Sequence, residues 1–520
     1  MKRYVMSVKN CYKSLVLTVV LLSSAYADWK NDANARIESI RKRDAKILVV
    51  NLNGNPVADV NVQIKQTKHR FAFGTCISST QMSNDSYKNF IADHFEWTAC
   101  ENETKWIWNE WSQDVENYDA ADNIYNWCSA NGIKVRAPCL FWEYQGFVQN
   151  WVKALDYKPW PQDCNLLKQC DERIINAVTH FKNKFKQWDV DNEMLPSGPD
   201  CQFYDRLELN PTDVNSRVWM FQRANQTDPN CKLFLNEYNG NSFGSWTSPS
   251  IEYVNLANNL RGKGAPIHGI GIEGHLGQKP NFDPTTYWTN VLKTLGTLGL
   301  PIWVTEFDVN ESNDVRRASI TDDFYRICFS DPNVEGILMW GFWQGLTWQS
   351  DWWIVNSDWT LNQTGQKYEA LMNEWTTNDA NTTDSTGNVN FRGFHGTYNI
   401  TLSVPGEGVE IKTIEMEPGQ TPAEFTLVLD ALVEPGTCND INQLGLILPS
   451  DLNGDCYVNY QDLDIIADHW LHTDCAGFND CNGADLVPTY GVVDFFDFSD
   501  FATQWMTCND PTNPNCTHNW

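Results

Sequence analysis

Two runs of this chain end their apolar stretches in acids: "WDVDNE", closing on Glu193, and "WVTEFDV", carrying Glu306. Glutamates that meet across one rim suit glycoside hydrolysis. One carboxylic acid protonates the leaving oxygen while the other carboxylate attacks the anomeric carbon or activates water. A single strand-end acid is more often a salt-bridged rim residue. Two of them, in a chain with 24 Trp, 18 Tyr and 25 Phe to face a flat apolar ligand, favour the catalytic reading. Within "KQWDVDNEML" the acids Asp189, Asp191 and Glu193 alternate, so a regular strand sets all three on one face. Burying three carboxylates together is costly. Glu193, at the open end, is therefore expected to meet the ligand, and Asp189 and Asp191 to lie deeper or in the wall, hydrogen-bonded.

Positioning these residues requires a scaffold. Between about Phe71 and Trp375 eight short apolar runs recur: "RFAFGTC", "FEWTACEN", "IKVRAPCLFW", "FKQWDVDNE", "KLFLNEYN", "IHGIGIEGH", "PIWVTEFDV" and "VEGILMWGFW". Helix-length segments separate them, which predicts an α/β fold, a (β/α)8 TIM barrel over 71–376 with chemistry at the strands' C-terminal ends. Before it, 28–70 reads as a helix followed by a hairpin turning at Asn53–Gly54. After a polar stretch, 388–437 reads as a small β-domain, either a sugar-binding module or, as favoured here, a packing appendage. Residues 440–510 hold a duplicated unit, "DLDIIADHWLHTDC" echoed by "DFSDFATQWMTC".

Taken in order, "FAFGT", "ENETKW", "VRAPCLFW", "WDVDNE", "LNEYN", "GIGIEGH", "WVTEFDV" and "MWGFW" resemble family 10 glycoside hydrolases, the xylanase family, and particularly its plant-type branch. That resemblance implies a retaining endo-1,4-β-xylanase with Glu193 as acid/base and Glu306 as nucleophile. It further implies that Glu101, Asn102 and Lys105 grip sugars on the non-reducing side and that Asn192 contacts the 2-hydroxyl. His275 would hydrogen-bond the nucleophile, and Trp142, Trp340, Trp348 and Tyr238 would contact substrate. Asn236 receives only a supporting role, and Asp308 is expected to brace the loop after Glu306. One departure stands out: the family's histidine is replaced by Pro138, which can neither donate a side-chain hydrogen bond nor ionise. This keeps open a related glycosidase acting on another β-glucan or mannan; a non-catalytic xylan-binding protein is a third reading, against which both glutamates, Asn192 and His275 stand.

The tail resembles a type I dockerin. In "DLNGDCYVNYQD" Asp451, Asn453, Asp455, the Tyr457 carbonyl, Asn459 and Asp462 take the ligand positions of a calcium loop, although Cys456 stands where glycine is usual. The second copy is degraded, with Val487 and Thr489 in ligand places and Asp485, Asp494 and Asp497 remaining. Calcium and a cohesin-type scaffold partner are the implied ligands there, and catalysis needs no cofactor.

The first 27 residues read as a secretory signal: basic Lys2, Arg3, Lys9 and Lys13, then "LVLTVVLL", then "AYA". A secreted extracellular protein without a membrane span is expected, with a catalytic region acting as a monomer. The net charge of −28 argues against nucleic acid as partner and suits a neutral polysaccharide or a divalent cation. Cys11 would leave with the signal, and an odd number of the 16 cysteines would remain, at least one of them outside an intrachain disulfide.

Overall fold

Each of the eight apolar runs folds as a parallel strand, and together they close a barrel. The structure, a computed structural model, describes residues 29–195, 202–210, 212–238, 247–277, 282–404, 407–430, 432, 435–472, 475, 481–487 and 492–517. The expected signal segment lies outside them. The chain divides into two units, one holding Ala72–Trp359 with the residues up to Ser39, the other Ile40–Phe71 with Thr360–Trp520. Among the described residues no helix is long and apolar enough to cross a membrane.

The barrel strands are Ala72–Ile77, Trp97–Cys100, Lys134–Ala137 (continued by Phe141–Trp142), Gln187–Asn192, Lys232–Glu237, Gly269–Ile272 (continued by His275–Leu276), Ile302–Val309 and Val334–Met339. Each pairs in parallel with its sequence neighbour, and the eighth pairs with the first, so no edge is left. The first, fourth and seventh strands are buried along their whole length because the pore side is filled and the outer side covered. Ala72, Ala99, Phe234, Trp303 and Leu338 pack together with Trp340. Helices such as Asn165–His180, Asn215–Thr227 and Asp314–Phe329 form the outer layer. The last begins at an Asn313 cap whose side chain accepts the Arg316 N–H at 3.0 Å.

In the other unit the pattern changes to strict alternation. Along Asn61–His69, Val62, Ile64 and Gln66 are buried and their neighbours exposed, the signature of a sheet with one wet face. One sheet orders Asn388–Phe394, Lys42–Asn51 and Ala423–Leu429. The other orders Asn378–Thr382, Asn61–His69, Gly396–Val404 and Gly408–Met416. Ile47, Val49, Val62, Ile64, Tyr398, Ile400 and Leu402 form the core they share.

The expected hairpin in 28–70 is therefore corrected. The Asn53–Gly54 turn forms, with Gly54 at φ 78° and Asn51 Oδ1 accepting the N–H groups of Asn53 and Asn55 at 3.0 Å. Only one bridge, Val50 to Pro56, follows it. The last rung is the Val57 N–H donating to Val49 O at 3.0 Å, after which the ladder ends and the chain passes to the second sheet. Both strands of the supposed extension thus belong to the β-domain assigned to 388–437. In the tail, helices Cys438–Gln443, Tyr460–Asp468 and Phe495–Thr503 accompany disulfides Cys438–Cys456, Cys475–Cys481 and Cys508–Cys516. In the barrel unit Cys76, Cys100, Cys128, Cys139, Cys164, Cys170 and Cys231 are free thiols, all of them buried.

Candidate active site

The fourth strand does not keep the alternation its sequence promises. A register shift between Asp189 and Asp191, opposite Phe234 and Leu235, leaves Val190 as an extra residue. The two acids consequently turn opposite ways. Asp189 Oδ1 meets Arg136 Nη2 at 2.5 Å, both fully buried, with the guanidinium 5.7 Å from the Phe234 ring in the interior. Asp191 Oδ2 lies 3.4 Å from Nε of Arg217, on the outer helix Asn215–Thr227. Past Asn192 the chain enters the left-handed region, with Glu193 at φ 59°. Few residues other than glycine adopt it, and the strain is of order 1 kcal/mol. The Glu193 N–H donates to Asn236 O at 3.0 Å, and its Oε2 accepts the Trp142 indole N–H at 2.8 Å. The expectation of three acids on one face fails because a bulge and a left-handed turn separate them.

Glu306 sits on the seventh strand, its N–H donating to Glu273 O at 2.7 Å. Asn236 Nδ2 approaches its Oε1 at 3.3 Å and His275 Nε2 its Oε2 at 3.4 Å. On the other side of the imidazole, Nδ1 bonds Asp308 Oδ2 at 2.7 Å, and the Trp348 indole N–H donates to that same oxygen at 2.7 Å. Asp308 therefore braces His275 and Trp348 rather than the loop after Glu306. Burial pulls His275 down, but Asp308 and Glu306 outweigh it and push its pKa up to about 10. An imidazolium with both N–H groups donating fits this geometry.

Glu193 is held above the ordinary carboxylate range, first by burial and then by the charge of Glu306, against the lowering bond from Trp142. The fully buried Glu273 is pushed well above it by burial, Glu193 and Glu306, and its carboxyl bonds that of Glu193. The rise of Glu193 favours its acid form, the direction that acid-assisted displacement requires, and the bond from Glu273 opposes it.

Every sugar-site residue expected from the sequence lines one cavity of about 450 Å³: Glu101, Asn102, Lys105, Trp142, Asn192, Glu193, Tyr238, His275, Glu306, Trp340 and Trp348. Lys105 Nζ donates to Asn102 Oδ1 at 2.9 Å and lies 4.9 Å from the Trp142 ring. Trp340 is buried, whereas Trp348 is 54% exposed. Glu273 completes the lining together with Cys139, Tyr144 and Phe147, the last three of which were not expected there. Pro138 contributes only its carbonyl, which accepts from Thr104 Oγ1 at 2.9 Å.

Asn236 is the residue that sequence reasoning undervalued. Besides Glu306, its Nδ2 bonds Asn192 Oδ1 at 2.8 Å, and its Oδ1 accepts from Thr305 Oγ1 at 2.8 Å. A Cβ on Gly271 would collide with that oxygen, which explains the glycine in "GIGIE". The available signal was its place at the end of the fifth strand, on the same rim as the two glutamates.

In the tail, Asp451 accepts the N–H groups of Gly454, Asp455 and Cys456 at 2.9, 3.1 and 2.7 Å. Asp462 accepts those of Leu452, Asn453 and Asn459 at 2.8, 3.2 and 2.8 Å. Burial, Asp462 and Asp455 push Asp451 up to about 6. Cys456 adopts φ 69°, so the conformation normally given to glycine is kept, with the disulfide to Cys438 holding it. An all-oxygen set around crowded carboxylates fits a hard cation such as calcium. The second copy repeats the frame, with an Asp494–Asp497 capping box and Val487 N–H donating to Asp497 at 2.8 Å; Thr489 lies outside the described residues. Among the described residues, the one group of three or more acid or histidine side chains with ligand atoms within 4.8 Å is Glu273, His275 and Glu306, in the cleft itself.

Residues 63–375 match the model of Glycosyl hydrolase family 10. The Anti-sigma-I factor RsgI6 of Acetivibrio thermocellus is 40% identical over 409 residues, which cover 78% of this chain and 51% of that protein. Endo-1,4-beta-xylanase 3 of Arabidopsis thaliana is 32% identical over 401 residues, 76% of this chain and 51% of that enzyme. The chain thus spans about half the length of these curated relatives. The crystal structure of xylanase 10B from Thermotoga petrophila in complex with xylobiose superposes with a TM-score of 0.52 at 21% identity, covering 59% of this chain and 94% of that one. At that identity the match supports the shared barrel fold alone.

Proposed function

Because the chain belongs to glycosyl hydrolase family 10, we propose that it is a secreted endo-1,4-β-xylanase that cuts the xylan backbone with retention of configuration. The observation that carries this reading is the unequal pair on one cavity: Glu193 raised by burial and its charged neighbour, Glu306 held by Asn236 and His275. Glu193 gives its proton to the glycosidic oxygen as Glu306 attacks the anomeric carbon, forming a glycosyl ester and releasing the shorter chain. Glu193, now a carboxylate, then takes a proton from water as that water attacks the same carbon and frees Glu306. Asn192, fixed by Asn236, faces the 2-hydroxyl, while Trp340 and Trp348 offer apolar faces to the ring. Glu306→Ala or Glu193→Ala is expected to abolish release of short xylo-oligosaccharides, and undiminished activity in either sinks the assignment. Comparing xylan, mixed-linkage glucan and mannan tests the substrate, where Pro138 leaves room for another β-linked glycan.

A second reading is a barrel that binds xylan without cleaving it; the name of the 40% identical relative, an anti-sigma factor, denotes no hydrolase. Tight binding of xylan with no product would support it. The tail reading is that Asp451, Asn453, Asp455, the Tyr457 carbonyl, Asn459 and Asp462 hold calcium and that the module docks on a cohesin-type scaffold. Calcium there supplies charge neutralisation and stiffness rather than catalysis.

A further inference from the structure

The aromatic lining of the cavity does not stop at its rim. Trp142, whose indole N–H holds Glu193, stacks on Phe147 with ring centroids 4.1 Å apart and planes 13° apart. Phe147 lies 5.9 Å from Trp108 at 25°. The ammonium of Lys105 ties the row together, 4.9, 5.6 and 5.9 Å from Trp142, Phe147 and Trp108. Trp108 comes from the short helix Trp106–Asn109, where Trp106 is buried and does the packing. Trp108 itself is 48% exposed. A large indole left in water at the end of a continuous aromatic row marks a ligand surface better than a folding need.

We propose that Trp108, backed by Phe147, forms an additional sugar subsite that extends the cleft beyond Glu101, Asn102 and Lys105, taking one more pyranose of a β-linked chain on its apolar face. The proposal rests on reading the cavity as a polysaccharide-cleaving site. A neutral glycan is the occupant because the row is continuous with that cavity, and because an uncharged ring has no charge to set against Lys105 or against a chain of net charge −28.

The test compares kcat/KM of the full chain, its Trp108→Ala variant and its Trp108→Phe variant on xylo-oligosaccharides of increasing length, with a parallel cello-oligosaccharide series. Trp108→Ala is expected to leave the shortest cleaved oligomer within about twofold of the parent and to lower the longest about tenfold, the worth of one aromatic contact. Trp108→Phe should restore most of that loss. An equal loss at every length, or no loss at any, overturns the subsite and leaves the xylanase reading standing. Cleavage confined to the cello-series, with the same length-dependent loss, overturns the xylan reading and keeps the subsite.

Discussion

Glu193 and Glu306 are the same side chain, and their surroundings set them to different work. Burial and the neighbouring charge raise Glu193, so activity is expected to fall as pH rises through its pKa, with that limb displaced upward from the ordinary glutamate value of about 4.3. Glu193→Gln should lower kcat by about 10²- to 10⁴-fold and remove the limb from the pH–rate profile, which steady-state kinetics across pH checks. Asn236→Ala strips hydrogen bonds from Asn192, Thr305 and Glu306 at once. At about 1–3 kcal/mol for unpaired buried groups, kcat/KM should drop about 5- to 100-fold with the fold intact by circular dichroism. At this scale residue type and rim position made the two glutamates legible. They could not rank Asn236, because its importance lies in three partners from strands remote in sequence.

At the scale of the element, the barrel strands were legible because each is a short apolar run framed by helix-length segments, a local signal. Two features were not. The bulge at Val190 inverts the facing of Asp191 relative to Asp189, and alternation alone cannot show where a strand gains a residue. The supposed hairpin failed because Lys42–Asn51 and Asn61–His69 find their partners more than three hundred residues away, a pairing no local window contains. The bulge has an energetic consequence. Turning Asp189 inward onto Arg136 builds a fully buried ion pair. Asp189→Ala leaves a buried guanidinium uncompensated and should destabilise the barrel by about 3–5 kcal/mol, read from its urea denaturation midpoint.

At the scale of the molecule, the chain joins a barrel with buried thiols to a second unit whose tail carries the three described disulfides. In the proposed reading, cross-links and bound calcium stiffen the tail and the barrel carries hydrolysis. Saturating calcium at a hundred times its Kd should stabilise the tail by about 2.7 kcal/mol, chelation should reverse this, and Asp451→Ala should abolish the response without altering hydrolysis. Calorimetry of the full chain with and without chelator checks it. The central claim, that Glu193 and Glu306 work as acid and nucleophile in two displacements, is tested most directly by proton NMR of the anomer first released from a xylo-oligosaccharide. The β-anomer appearing first, with the α-anomer growing in only by mutarotation, is the predicted result; the α-anomer appearing first would contradict it.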